Sequence, residues 1–97
     1  MIRGLLVLFV ALASGQVMAS CEDGTAMAED AVVRSLRKTG RVCRAQAGSV
    51  RPTRDGESIS VVARCARKQV YIFQVTLHEV EDAVCYVKKI TRVGASG

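Results

Sequence analysis

The apolar positions of this chain change their period twice, and each change marks a boundary. Leu5 to Ala13 is an unbroken apolar run that follows Arg3 and breaks at Ser14-Gly15-Gln16. Val17-Met18-Ala19 then supplies a small-x-small exit, so residues 1–19 read as a secretory signal peptide. A transmembrane anchor needs about 20 apolar residues, and this run is too short for that reading. Past it, Ala28, Ala31, Val32, Ser35, Leu36 and Thr39 fall on one face at helical spacing, with Val32 and Leu36 as its anchors. Asp23 or Thr25 is placed to cap this helix. Glu29 and Asp30 lie early in it and Arg37 and Lys38 late, the order that suits the helix dipole. Gly40 is its expected stop.

Beyond Gly40 the period drops to two. Val42 to Val50 reads as a weak strand, and Pro52-Thr53-Arg54-Asp55-Gly56 as a turn. Ile59, Val61, Ala63 and Cys65 alternate against Ser58, Ser60 and Arg64 in the second strand. Arg67-Lys68-Gln69 turns the chain into the strongest strand, which sets Tyr71, Phe73, Val75 and Leu77 on one face. His78 to Asp82 reads as the next turn and Val84 to Arg92 as the fourth strand. Short turns between strands favour an antiparallel meander. The predicted fold class is therefore α+β: one N-terminal helix packed on a four-stranded antiparallel meander (α-β-β-β-β), stapled by two disulfides. It occupies residues 20–93 as a single small domain, with residues 94–97 as a flexible tail.

This topology selects a cysteine pairing. Four cysteines allow three connectivities. With the helix running down and the strands up, down, up, down, Cys21 and Cys85 meet at the top, and Cys43 and Cys65 at the bottom. Other pairings join ends some 20 Å or more apart, against a bridgeable Cα separation under about 7 Å. Cys21–Cys85 and Cys43–Cys65 are therefore expected. The hairpin register that sets Val50 opposite Ser58 also sets Cys43 opposite Cys65. Redox chemistry wants a close pair such as Cys-x-x-Cys, whereas the spacings here are 22, 22 and 20. Four paired thiols place the protein in the periplasm or outside the cell. Met18-Ala19-Ser20-Cys21 is similar to a bacterial lipobox, with methionine where leucine is usual, so a lipoprotein anchored through Cys21 is an alternative. It would strand an odd three thiols in an oxidising compartment, whereas cleavage after Ala19 leaves an even four.

Charge changes the picture once it is laid on the topology. Without Arg3, 13 Lys and Arg face 9 Asp and Glu, a net +4. Eleven of those bases, including Arg92, Lys88 and Lys89, are expected toward the bottom, and the acids toward the top. Arg41, Arg44, Arg64, Arg67 and Lys68 form the candidate binding pole. It suits an acidic protein, an anionic lipid or an anionic glycan. Nucleic acid is disfavoured, because single-strand binders want stacking aromatics and Tyr71 and Phe73 are needed for the core. The open sheet face, with Val62, Val70 or Ile72, Val84, Tyr86 and Ile90, is a candidate homodimer surface.

Candidate chemistry is sparse. The histidine, His78, has no nucleophile at a sharp glycine turn, and no phosphate-cradling glycine loop or paired carboxylates in a cleft accompany it. No catalytic residue, cofactor or metal is assigned. His78, Glu79, Glu81 and Asp82 read as a polar turn rather than a ligand set. A small RNase-like secreted hydrolase using His78 is the catalytic alternative. The helix, glycine stop and following strand, Leu36 to Val42 and onward to about Val93, resemble the PepSY-type domains of extracytoplasmic bacterial proteins. That resemblance implies inhibition or regulation of peptidases, although four cysteines are not part of the pattern. The expected function is a non-catalytic, exported binding or regulatory module that contacts an anionic partner through its basic pole.

Overall fold

The computed structural model describes residues 19–96. The expected signal peptide lies outside the described residues except for Ala19. Helix α1 (Gly24–Arg37) precedes strands β1 (Cys43–Pro52), β2 (Gly56–Cys65), β3 (Val70–Glu81) and β4 (Val84–Ser96). The strands form one antiparallel sheet in sequence order, and α1 lies on one face, chiefly across β1 and β2.

The helix buries Ala28, Val32 and Leu36, a single i, i+4, i+8 line. These meet Ile59, Val61 and Ala63 of β2 and Tyr71, Phe73, Val75 and Leu77 of β3, the alternate positions of the two central strands. Ile59, Val61, Val75, Leu77 and Val32 are wholly buried, each stabilising the fold by about 1.5–3 kcal/mol relative to exposure. Neither expected cap serves at the helix start: Asp23 is left-handed (φ 55°) and makes no side-chain capping bond. Gly40 does stop the helix. At φ 82° it takes a conformation that a side chain disfavours, and it sends Arg41 back to donate its backbone N–H to the Leu36 carbonyl at 3.0 Å.

Both predicted disulfides form. Cys21 and Cys85 lie 5.5 Å apart at Cα, and Cys43 and Cys65 4.1 Å apart. They pin opposite ends of the domain, the first tying the start of α1 to β4 and the second joining β1 to β2. Two such bridges fit an oxidising environment. Among the described residues, no helix is long and apolar enough to cross a membrane.

Four details depart from the sequence reading. The β1–β2 register sets Cys43 opposite Cys65 as expected, but Val50 pairs with Ile59 rather than Ser58, because a bulge intervenes between Ala47 and Val50. The extra residue there returns Val50 to the helix side. His78 belongs to β3, and the turn contracts to Asp82 and Ala83, both at positive φ. β4 runs to Ser96, so residues 94–96 are strand rather than tail, pairing with Ile72, Tyr71 and Val70. Finally, Ile90 pairs with Val75 and packs on the core, which removes it from the open face.

Candidate functional site

The longer fourth strand redraws the charge map. Lys89 pairs with Thr76, midway along β3, and Lys88 sits in the adjacent irregularity, so neither lysine belongs to the base. The base holds Arg37, Lys38, Arg41, Arg44, Arg64, Arg67, Lys68 and Arg92, where α1 ends and the β2–β3 turn closes. The five residues read from the sequence divide between two sides of the sheet. Arg44 and Arg64 are direct cross-strand partners on the face away from the helix. Like charges opposed in this way destabilise a sheet, and no carboxylate among the described residues pairs with either arginine. Arg41, Arg67 and Lys68 lie at the lower rim instead.

Arg41 is the most constrained of these. Its Nε donates to Tyr71 Oη at 3.2 Å and its Nη1 to Thr39 Oγ1 at 2.9 Å, while the guanidinium carbon stands 5.7 Å from the tyrosine ring centre. Tyr71 Oη in turn donates to Gln69 Oε1 at 3.2 Å. A second guanidinium, that of Arg92, lies 5.6 Å from the same ring centre. One aromatic ring therefore draws two cations together, an attraction of its negative π face for each. Arg41 and Arg67 also line one cavity of about 440 Å³, with Gly40, Val42, Cys65, Ala66 and Gln69. Arg67 and Lys68 are successive left-handed residues (φ 65° and 60°), a backbone state that non-glycine residues adopt at a cost of about 1–3 kcal/mol each.

Tyr71 and Arg92 carry this arrangement, and the sequence reading assigned neither of them to the site. Tyr71 was legible only as a core residue, which it also is: the ring is buried. The overlooked signal was its hydroxyl, which must find partners where phenylalanine would need none.

The carboxylates behave differently. Glu29 Oε2 accepts the Ala47 N–H of the β1 bulge at 2.8 Å, and Glu79 Oε2 accepts the Ala83 N–H of the last turn at 2.7 Å. Glu57 is buried against the start of α1, where a side chain at position 24 would collide with its carboxylate. It sits at the positive end of the helix dipole, in the place that the expected caps leave empty. Asp30 pairs with Arg34 at 2.9 Å, both exposed, and this is the one ion pair among the described residues. The base arginines therefore have no carboxylate partner among the described residues.

The remaining candidates lie elsewhere. His78 stacks obliquely on Tyr86 with ring centres 5.5 Å apart, on the outer face near the acidic end. Glu79, its neighbour, turns to the opposite face and bonds the turn. The two do not converge on a ligand. Neither His78 nor the acids of the β3–β4 turn line the basal cavity. The Cys21 sulfur is bonded to Cys85 and cannot carry a thioether lipid in that state. On the outer face, Ile72 and Tyr86 are partly exposed, but Ser58 and Gln74 are joined by a hydrogen bond between them, so the surface there is a mixed one. No family model, curated protein or solved structure matches this chain.

Proposed function

We propose that this protein is a non-catalytic binding or regulatory module of the periplasm or extracellular space that engages an anionic partner through its base. One observation carries the reading. Arginines converge at the base without carboxylate partners among the described residues, whereas two carboxylates, those of Glu29 and Glu79, are already engaged by backbone N–H groups. The opposed Arg44 and Arg64 add to it, since their mutual repulsion is relieved when an anion lies across them. Two disulfides supply a rigid frame for such a surface in an oxidising compartment.

A charge-matched pair of variants tests the proposal. Arg44→Gln with Arg64→Gln removes two positive charges from the base, and Lys88→Gln with Lys89→Gln removes two from elsewhere. Binding is measured to heparin, to phosphatidylglycerol vesicles and to an acidic protein, each across a salt series. The expected result is a loss of about tenfold or more for the arginine pair, little change for the lysine pair, and steep weakening with ionic strength. Equal losses in the two variants would reduce the effect to net charge and overturn the proposal.

A further inference from the structure

The base is more than a diffuse field, because one of its guanidiniums is fixed in place. We infer that Arg41 and Arg67 form a discrete site for a tetrahedral oxyanion, a phosphoryl or sulfuryl group, in the cavity between the α1–β1 connection and the β2–β3 turn. The inference deepens the proposed function and takes its location from it.

Donor counting supports the assignment. A guanidinium carries five N–H donors in a planar fork. Arg41 directs one to Tyr71 Oη and one to Thr39 Oγ1, which leaves three without a partner among the described residues. The two bonds and the Tyr71 ring hold the fork in a single orientation, so little side-chain freedom remains to be lost when an anion arrives. Arg67 lines the same cavity from the β2–β3 turn, at a left-handed position. Arginines on two sides of one cavity can meet an anion whose oxygens lie in more than one plane, which favours a tetrahedral group over a flat carboxylate. Arg92, on the Tyr71 ring, raises the positive potential beside Arg41 without lining the cavity. Gly40 and Gln69 complete the rim, and neither brings a negative charge. Gln69 is itself held by the Tyr71 hydroxyl, so helix end, turn and strand are joined through one phenol.

The test uses the oxidised protein with isotope-labelled arginine. Sodium sulfate is titrated at constant ionic strength, balanced with sodium chloride, while the arginine Nε–H resonances are followed by NMR. The expected result is a saturable shift of the Arg41 signal. Arg41→Lys keeps the charge and removes the fork, and is expected to weaken sulfate binding about tenfold. Arg67→Gln should do likewise. Tyr71→Phe retains the buried ring but frees Arg41. A smaller loss, about threefold, is expected, together with collapse of the distinct Arg41 Nε–H shift before any sulfate is added. Lys89→Gln, outside the base, should leave sulfate affinity unchanged.

A linear, unsaturable response, or an equal loss with Lys89→Gln, would overturn the discrete site while leaving the proposed function standing. Saturable sulfate binding beside failure of the charge-matched test would do the reverse. Methyl phosphate and dimethyl phosphate then identify the source of the group. Competition by the first alone supports a terminal phosphoryl or sulfuryl group, and competition by both supports a diester such as a lipid headgroup.

Discussion

At the end closed by Cys21–Cys85, carboxylates answer the backbone: Glu79 holds the last turn, and Glu57 lies at the start of the helix, with Glu29 stitching the β1 bulge from midway along it. At the other end, closed by Cys43–Cys65, arginines meet a tyrosine, a threonine and one another, but no carboxylate among the described residues. The chemistry of the side chains accounts for part of this difference. A carboxylate only accepts, so it readily completes the spare N–H groups of helix starts, bulges and tight turns. A guanidinium only donates, and has five donors to place, more than the carbonyls at a helix end commonly satisfy. Charge that is absorbed into architecture stabilises the fold, and charge left over is available to a partner.

Breaking the disulfides separates the ends most sharply. In the chain-entropy picture, removing Cys21–Cys85 as a paired alanine variant costs about 4 kcal/mol, and removing Cys43–Cys65 about 3 kcal/mol. Urea midpoints should fall in that order. Sulfate affinity, measured where each variant is still folded, should suffer more from loss of the basal bridge, because Cys65 lines the cavity. Next in size is Glu29→Gln, which weakens a charge-assisted bond to the Ala47 N–H and should lower stability by about 1–2 kcal/mol, with partner binding unaffected. Smallest is Arg64→Gln. It relieves the repulsion with Arg44 and should raise stability by a few tenths of a kcal/mol while lowering affinity for a polyanion. Opposite signs in the last two variants would confirm the contrast; a loss of stability in both would dissolve it.

The elements and their order were readable because each carries its own period, and because the cysteines fall at element ends. Cys43 opposite Cys65 followed from the meander, which brings both to the same end, although the Val50–Ser58 register given in its support is displaced by the bulge. The β1 bulge was not readable. Gly48-Ser49 has no apolar marker, and the bulge is held by Glu29, 18 residues away in the chain. Residues 94–96 resemble a tail in composition, yet they extend the ladder beside Val70 and Ile72, a pairing that requires only backbone groups. That extension shifts Lys88 and Lys89 out of the base. The basic pole itself was visible as charge, since helix and strand ends could be placed. Which arginines converge was not, because it depends on one hydroxyl and one ring at the end of β3, and a core position does not announce a second use.

The two bridges are nested, with Cys43–Cys65 enclosed by Cys21–Cys85. A chain that enters an oxidising compartment from its N-terminus presents Cys21 and Cys43 first, well before Cys85 follows. Oxidation in order of arrival therefore joins Cys21 to Cys43 and Cys65 to Cys85, linking opposite ends of the domain. Reaching the native pattern from there requires thiol–disulfide exchange. A producing strain that lacks a disulfide isomerase is therefore expected to accumulate the consecutive isomer, detected by non-reduced peptide mapping.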